Sequence, residues 1–470
     1  MSISHNFTSS ADVFAWISGF INFERSQIQG KQSMHRTFRL DRMELLCDLA
    51  GRPDSCAPVI HIAGSKGKGS VTGMTAAILE AGGIKTACYA SPHVSDYRER
   101  ISRPNGFFEE AVYLEAGREL RELTEDLQHR TAPDAELFNP ESGIGEAPTF
   151  FELFTLLFFL CARISKCDAM AVETGIGGRL DATNIVHPLV SAITPIELEH
   201  TEYLGDTIAA IAGEKAGIIK QGKPLLLSDQ TPEALEVFRL RAEQSQSPLV
   251  YFPDAAELNA LRIDRLNTAF TLRFKKESLF PKPLDLSLPI PGAIQACNAG
   301  LAVLTAKTAF PLIGEEAIRK GLASFRLPAR FEKILEEPPL VIDGAHTAHS
   351  AALCADTFAE LYGDEGILLF GCAKGKDAAS MAKALLPHFS QIIITLPGTF
   401  KKSDPDEVYA VFKREAFSLD GTPEIRCVPE TNRAIETALK TAAKGRLPIL
   451  GTGSFYLAAE IRERILHLQV

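Results

Sequence analysis

Long apolar stretches are missing from this sequence. The longest run, residues 153–162 (LFTLLFFLCA), is about half the roughly 20 residues that a membrane-spanning helix needs, so a buried helix and no membrane partner are expected. The N-terminus, MSISHNFTSSADVF, lacks a basic segment followed by an apolar core, so no signal peptide is read there. No CxxC pair occurs among the nine cysteines, and apolar settings such as ELLCDL and TACYA predict reduced core thiols in a cytoplasmic protein. An excess of basic charge is also absent. A net charge of −10 and a pI of about 5.7 argue against nucleic acid as a partner, because a phosphate backbone needs a basic face.

What is present is a globular composition, 46% hydrophobic and 23% charged, in 470 residues. Single cores stop growing at roughly 250–300 residues, so two domains are expected. From residue 58 a rhythm of short apolar strand and amphipathic helix sets in: 58–63 (PVIHIA), 85–90 (KTACYA), 168–173 (DAMAVE), 189–194 (LVSAIT) and 224–228 (PLLLS). Near-continuous apolar runs of this length suit parallel strands buried on both faces. Helices are predicted over 70–81, 149–164 and 294–308. The fold class that follows is α/β, with a doubly wound, mainly parallel sheet in the N-terminal part. Residues 252–288 alternate instead, as an antiparallel add-on sheet would. Pro328 interrupts SFRLPAR at 324–330, and a second strand–helix series follows: 340–342, 366–370, 391–395, 424–428 and 447–450. The division expected is an N-terminal domain over 1–326, a linker over 327–331 and a smaller Rossmann-like domain over 332–470.

The chemistry concentrates in a few segments. Gly64-Ser65-Lys66-Gly67-Lys68-Gly69-Ser70 lies between a predicted strand and a predicted helix. Its glycines let backbone N–H groups wrap phosphates, the helix N-terminus adds a favourable dipole, and Lys68 supplies a mobile charge for the β- and γ-phosphates. Glu173 closes the strand AMAV ahead of TGIGGRLDATN, at the carboxyl edge where ligands bind in such sheets, and a hard carboxylate there suits Mg²⁺. His200 follows the strand VSAIT at the same edge. Lys215, in GEKAG, reads on its own as a solvated lysine. Asp343 and His346 end the strand of VIDGAH, with Arg330 in the linker before it, where two domains meet and ligand clefts form.

In this order the segments resemble the folylpolyglutamate synthase/dihydrofolate synthase family, a branch of the Mur ligases. The motifs that carry the resemblance are SPHVSDYRERI, VETGIGGRLDATN, HTEYLGDTIAAIAGEKAGIIK, LPARFE and DGAHTAHS, within a match running from FRLDRMELL to GTGSFYLAAEI. The resemblance implies a phosphate-loop ATPase domain, a Rossmann-like ligase domain and a reaction in the cleft between them. Gly64, Gly67, Lys68, Gly69 and Ser70 would hold the ATP phosphates, with Asn298, Arg330 and Asp343 contacting the base, phosphate and ribose. Ser91, Glu173 and His200 would ligate Mg²⁺. Lys215 would carry a carbamate supporting a second Mg²⁺, and K⁺ is a further candidate cofactor. Thr149, Phe150, Phe151, Leu180, Asp181, Ala182 and His346 would lie against the pterin or amino-acid substrate. Lys68, Glu173, His200 and Lys215 form the implied catalytic set. The implied partners are ATP, L-glutamate and dihydropteroate or folates, and the implied state is a monomer.

The sequence departs from the family pattern in three places: Ser65-Lys66 stands for Thr-Asn, Thr347-Ala348 for Asn-Pro, and Ile294 for His. A ligase for UDP-sugar peptides is disfavoured because about 57 residues before the first strand are too few for a UDP-binding domain. A phosphate-loop switch or motor would not need GIGGRLDATN. A degenerate, inactive nucleotide binder would not need Lys68, Glu173, His200 and Lys215 together.

Overall fold

The computed structural model describes residues 7–20, 22, 39–129, 148–276, 279–398, 403–417 and 423–468; Phe38, at the start of FRLDRMELL, lies outside them. The sheet expected in the N-terminal part has eight strands. They are β1 (Val59–Ala63), β2 (Thr86–Tyr89), β3 (Ile101–Arg103), β4 (Gly106–Phe107), β5 (Ala169–Glu173), β6 (Val190–Ile193), β7 (Leu225–Leu227) and β8 (Leu249–Tyr251). Their order is β4-β3-β2-β5-β1-β6-β7-β8. The six strands from β2 to β8 run parallel, and β3 and β4 add an antiparallel edge that the apolar runs did not predict. These two edge strands are short and partly polar, so they carry no apolar run to find.

Each central strand is buried along its whole length, which is why its sequence is apolar at every position. One face is covered by the helices Lys68–Ala81 and Ala293–Ala309, whose Val71, Met74, Ala296 and Ala299 pack with Ile60 and Ile62 of β1. The other face carries the helix Phe150–Ile164, and the apolar run expected to be a buried helix forms its interior. Thr149 caps that helix: its hydroxyl accepts from Glu152 N while the Glu152 carboxylate accepts from Thr149 N at 2.8 Å. Glu152 is in turn held by Arg42 Nε, at 2.8 and 2.9 Å, in a buried ion pair 110 residues apart in sequence.

The alternating segment is the antiparallel sheet expected of it, β9 (Ala256–Ile263), β10 (Thr268–Phe274) and β11 (Leu284–Leu288), in the order β11-β10-β9. The second α/β series builds β12 (Glu332–Leu335), β13 (Leu340–Ile342), β14 (Gly366–Phe370), β15 (Phe389–Ile394), β16 (Glu424–Cys427) and β17 (Ile449–Thr452). Its order is β12-β13-β17-β14-β15-β16, parallel except for β12. Chain contacts join the two parts: Arg265 Nε donates to Leu361 O at 2.8 Å, and His349 stands 3.8 Å from Glu197. All nine cysteines are free thiols; Cys56 and Cys297 are exposed and Cys427 is half-buried, while the other six are buried. Among the described residues no helix is long and apolar enough to cross a membrane.

Candidate active site

The register of the central strands puts three loops side by side. Ile62 of β1 is opposite Glu173 of β5, and Ala63 is opposite Ile193 of β6, so the segments after β1, β5 and β6 leave the sheet at one edge. The loop after β1 is held open by glycine. Gly64 has φ +141°, and a Cβ there would lie 1.8 Å from Thr194 Oγ1; Gly67 has φ +88°, and a Cβ there would meet Asn298 Oδ1 at 2.5 Å. Gly67 then caps the helix beginning at Lys68, whose first N–H groups have no intrahelical acceptors. Lys68 Nζ curls back to Gly64 O at 2.9 Å. Pro195 O receives Ser65 N at 3.0 Å and Lys66 N at 3.3 Å, which ties this loop to the one after β6.

Glu173 is buried against this loop, with its Oε2 receiving Ser91 N at 3.3 Å. Burial pushes the carboxyl up to about 7, against the pull of Lys68, the Ser91 N–H, Arg330 and Arg100. Arg330 therefore acts on this carboxylate from the second part of the chain. It lies over the Phe455 ring, 4.1 Å from the centroid. Asp343 accepts from Phe331 N at 2.8 Å and Ala345 N at 2.7 Å, so its carboxylate pins the segment that carries Arg330.

Lys215 is not the solvated lysine that its sequence suggests on its own. Its side chain is 1% exposed, and Nζ donates to Gly64 O at 2.7 Å and to Glu199 Oε1 at 2.8 Å. Burial, with Lys68 nearby, lowers its pKa to about 8 although Glu199 opposes the shift. Glu199 itself is brought down to about 2, because Lys68 and Lys215 outweigh the effect of its burial. Sequence reasoning passed over Glu199 in favour of its neighbour His200. The only local signal was a second acid in IELEH at the same strand end. His200 takes a left-handed backbone, φ +47°, and its side chain is exposed.

The structure thus gathers Gly64, Gly67, Lys68, Ser91, Glu173, Lys215 and Arg330, with Asn298 abutting Gly67. The segments suggested for substrate have the following places in the fold. Phe150 is 1% exposed, packed against Phe154 at 4.8 Å between ring centroids, and Thr149 serves as the helix cap. Phe151 reaches the loop beyond Glu173: a Cβ on Gly175 would stand 2.5 Å from its ring. Leu180 is half-buried on that loop, and Ala182 is buried where a short 3₁₀ turn begins. Asp181 points inward, accepting Gly175 N at 2.9 Å and Ile176 N at 3.1 Å. In the second part of the chain His346 Nδ1 lies 2.9 Å from Gly344 O, and burial together with Lys66, Lys376 and Arg330 lowers its pKa to about 3.

A divalent cation fits this edge. No cluster of three His, Cys, Asp or Glu side chains is present among the described residues, but Mg²⁺ is commonly held by one or two carboxylates plus substrate phosphates. Glu173 offers such a carboxylate, 3.4 Å from where a Cβ on Gly69 would stand at the start of the phosphate-loop helix.

Residues 329–455 match the family described as "Mur ligase, glutamate ligase domain". The chain is 31% identical over 471 residues to the dihydrofolate synthase/folylpolyglutamate synthase of Bacillus subtilis, covering 98% of this chain and 100% of that one. It is 34% identical over 423 residues to a Haloferax volcanii protein named "Probable bifunctional folylpolyglutamate synthase/dihydropteroate synthase"; the match covers 88% of this chain and 46% of that protein, so the chain spans about half its length. Among solved structures, the Mycobacterium tuberculosis folylpolyglutamate synthase complexed with ADP and AMPPCP superposes with a TM-score of 0.81 at 27% identity, covering 97% of this chain and 99% of that one. An FPGS–AMPPCP–folate complex superposes with a TM-score of 0.79 at 28% identity, covering 98% and 100%.

Proposed function

The chain belongs to the folylpolyglutamate synthase/dihydrofolate synthase family of ATP-dependent amide ligases, and from that premise we propose that it adds L-glutamate both to dihydropteroate and to the γ-carboxylate of folates, through an acyl phosphate, with release of ADP and phosphate. The observation that carries this reading is the convergence of Lys68, Glu173, Lys215 and Arg330 from four separate segments on one sheet edge.

The charge balance explains the arrangement. A carboxylate attacking the γ-phosphate brings two anions together, and the barrier falls when fixed cations face the charge that is transferred. Lys68 serves from the phosphate loop and Arg330 from across the cleft. By the family resemblance Ser91, Glu173 and His200 would hold Mg²⁺; when bound, that ion neutralises phosphate charge and orients the triphosphate. The amine of glutamate then displaces phosphate from the acyl phosphate. Lys66, Lys376 and Arg330 around His346 form a cationic face suited to the amino acid's carboxylates. We place the hinge between the two parts at residues 327–331, the segment that carries Arg330, so that closure brings Arg330 in and keeps water from the acyl phosphate.

Lys215 fits a carbamate. An amine reacts with CO₂ only when neutral, and a pKa of about 8 leaves roughly a quarter of Lys215 neutral at pH 7.5. The expected result is that Lys215→Arg lowers kcat by about 10²-fold or more, since arginine stays charged and cannot form the adduct. Wild-type activity should fall in CO₂-depleted buffer and return with bicarbonate. Unchanged activity in rigorously depleted buffer would remove the carbamate from the reading.

Phosphate release is measured with MgATP and L-glutamate, offering dihydropteroate and tetrahydrofolate in separate reactions, while mass spectrometry follows addition of one glutamyl unit. Glutamylation of both is expected. Glutamylation of one alone restricts the enzyme to that step, and ATP hydrolysis with neither glutamylated overturns the assignment.

A further inference from the structure

One buried titratable side chain beneath this site has no part in the chemistry above. His61 lies in the middle of β1, opposite Val172 and Ser191, and is 0% exposed. Its neighbours Ile60 and Ile62 point to the face covered by the helix Lys68–Ala81, so its own ring turns to the opposite face, under the 3₁₀ turn Ala182–Ile185. There Nε2 lies 2.9 Å from Thr183 Oγ1. Thr183 Oγ1 lies 2.6 Å from Asp181 Oδ1, and Thr183 N also donates to that oxygen, at 3.1 Å. The other oxygen of Asp181 receives the backbone N–H groups of Gly175 and Ile176, two and three residues beyond Glu173.

The direction of the chain follows from the inventory of donors. Burial raises the Asp181 pKa, but its two oxygens accept three backbone N–H groups that favour the charged form. An ionised carboxylate only accepts, so the Thr183 hydroxyl spends its single proton on Asp181. The bond between Thr183 and His61 must then run from the imidazole, with the proton on Nε2. Nδ1 has no hydrogen-bond partner among the described residues, which a bare lone pair tolerates better than an N–H. Burial, with Lys220 nearby, lowers the His61 pKa to about 3, so the ring stays neutral at working pH. A polar ring at an apolar strand position is costly unless its one bond is needed; leucine would fill the space with nothing left unpaired.

We propose that His61 is a positioning residue for the acceptor: through Thr183 and Asp181 it fixes the backbone of Gly175 and Ile176, the part of the loop after Glu173 on which Phe151 packs. The inference rests on the functional reading above and on the implication of the family resemblance that Phe151 and the segment Leu180-Asp181-Ala182 lie against the pterin acceptor. It assigns His61 no contact with ATP.

Glutamine can place its amide N–H where Nε2 stands, whereas leucine cannot. With tetrahydrofolate, MgATP and glutamate, His61→Leu should raise KM for tetrahydrofolate about 10-fold while KM for ATP stays within about 2-fold, the effect of one buried hydrogen bond. His61→Gln should stay within about 3-fold of wild type for both. Thr183→Val should reproduce His61→Leu, and the double variant should be little worse than either single one. An unchanged tetrahydrofolate KM in His61→Leu, a parallel loss for ATP, or a His61→Gln variant as impaired as His61→Leu would overturn the proposal. Circular dichroism checks that each variant folds. Should His61→Leu fail to fold, long-range ¹H–¹⁵N correlation on the wild-type protein decides, with the signal assigned by its loss in His61→Gln: Nε2–H is expected, and a proton on Nδ1 overturns the chain. A wild-type enzyme that glutamylates no pterin would instead defeat the functional reading, which the tautomer measurement does not depend on.

Discussion

With Lys68 replaced by methionine, kcat/KM for MgATP should fall by about 10³-fold or more, in the range found when a fixed cation is removed from a transferring phosphoryl group. The side chain is aimed at the loop, bonded to Gly64 O at 2.9 Å, at the N-terminus of the helix Lys68–Ala81. Its charge also sets the state of its neighbours. It holds Glu173 down against burial, pulls Glu199 down and depresses Lys215. Without it Glu173 rises above about 7 and is more protonated at neutral pH, and Lys215 rises above about 8 and is less often neutral. Both changes weaken the site at pH 7 and are relieved by base. The deficit should therefore shrink as the pH is raised from 7 to about 8.5, on top of a constant loss from the missing phosphate contact. Steady-state kinetics across that range, with circular dichroism as the control for folding, tests this. A variant within 10-fold of wild type would remove Lys68 from the mechanism.

The parts of this site that were legible in the sequence are those where position along the chain determines position in space. An apolar run ending at the carboxyl edge of a parallel strand announces where its next residues emerge, so the phosphate loop and Glu173 could be placed from PVIHIA and AMAV alone. The register of β1 with β5 and β6 then brings them together. What stayed hidden was pairing through space. Lys215 bonds a carbonyl 151 residues away, and nothing in GEKAG shows the burial that lowers its pKa. Glu152 sits in TFFE among residues suggested for substrate, yet its carboxylate is taken up by Arg42 and by its own helix cap. His61 is one letter of the strand PVIHIA, and an apolar run shows neither which face its ring takes nor its partner on the turn above. Glycines could be recognised as necessary before the reason was visible: the positive φ of Gly67 and the approach of Asn298 are three-dimensional facts.

Glu173 links function to stability with opposite signs. Its carboxyl is held at about 7 in the folded protein, above the ordinary 4.5, chiefly by burial. The folded state therefore binds this proton more tightly than the unfolded chain does. Below about pH 4.5 the group is protonated in both states and opposes nothing. As the pH rises from 4.5 to 7 the unfolded chain ionises first and folding loses stability; above about 7 the penalty is complete, up to about 3 kcal/mol. Glutamine is neutral throughout. Glu173→Gln should accordingly match wild type in stability near pH 4 and exceed it above pH 7, by up to about 3 kcal/mol, when urea unfolding is followed in EDTA. Added Mg²⁺ should narrow the gap by stabilising only the carboxylate form. The same substitution should lower ligase activity by about 10³-fold, because a neutral amide replaces the charged oxygen donor at the phosphate edge. A Glu173→Gln protein that is inactive and also less stable at pH 8 would show that the carboxylate holds the fold together. One that is more stable and inactive would show that a buried charge is kept here at a cost to the fold, for what it binds.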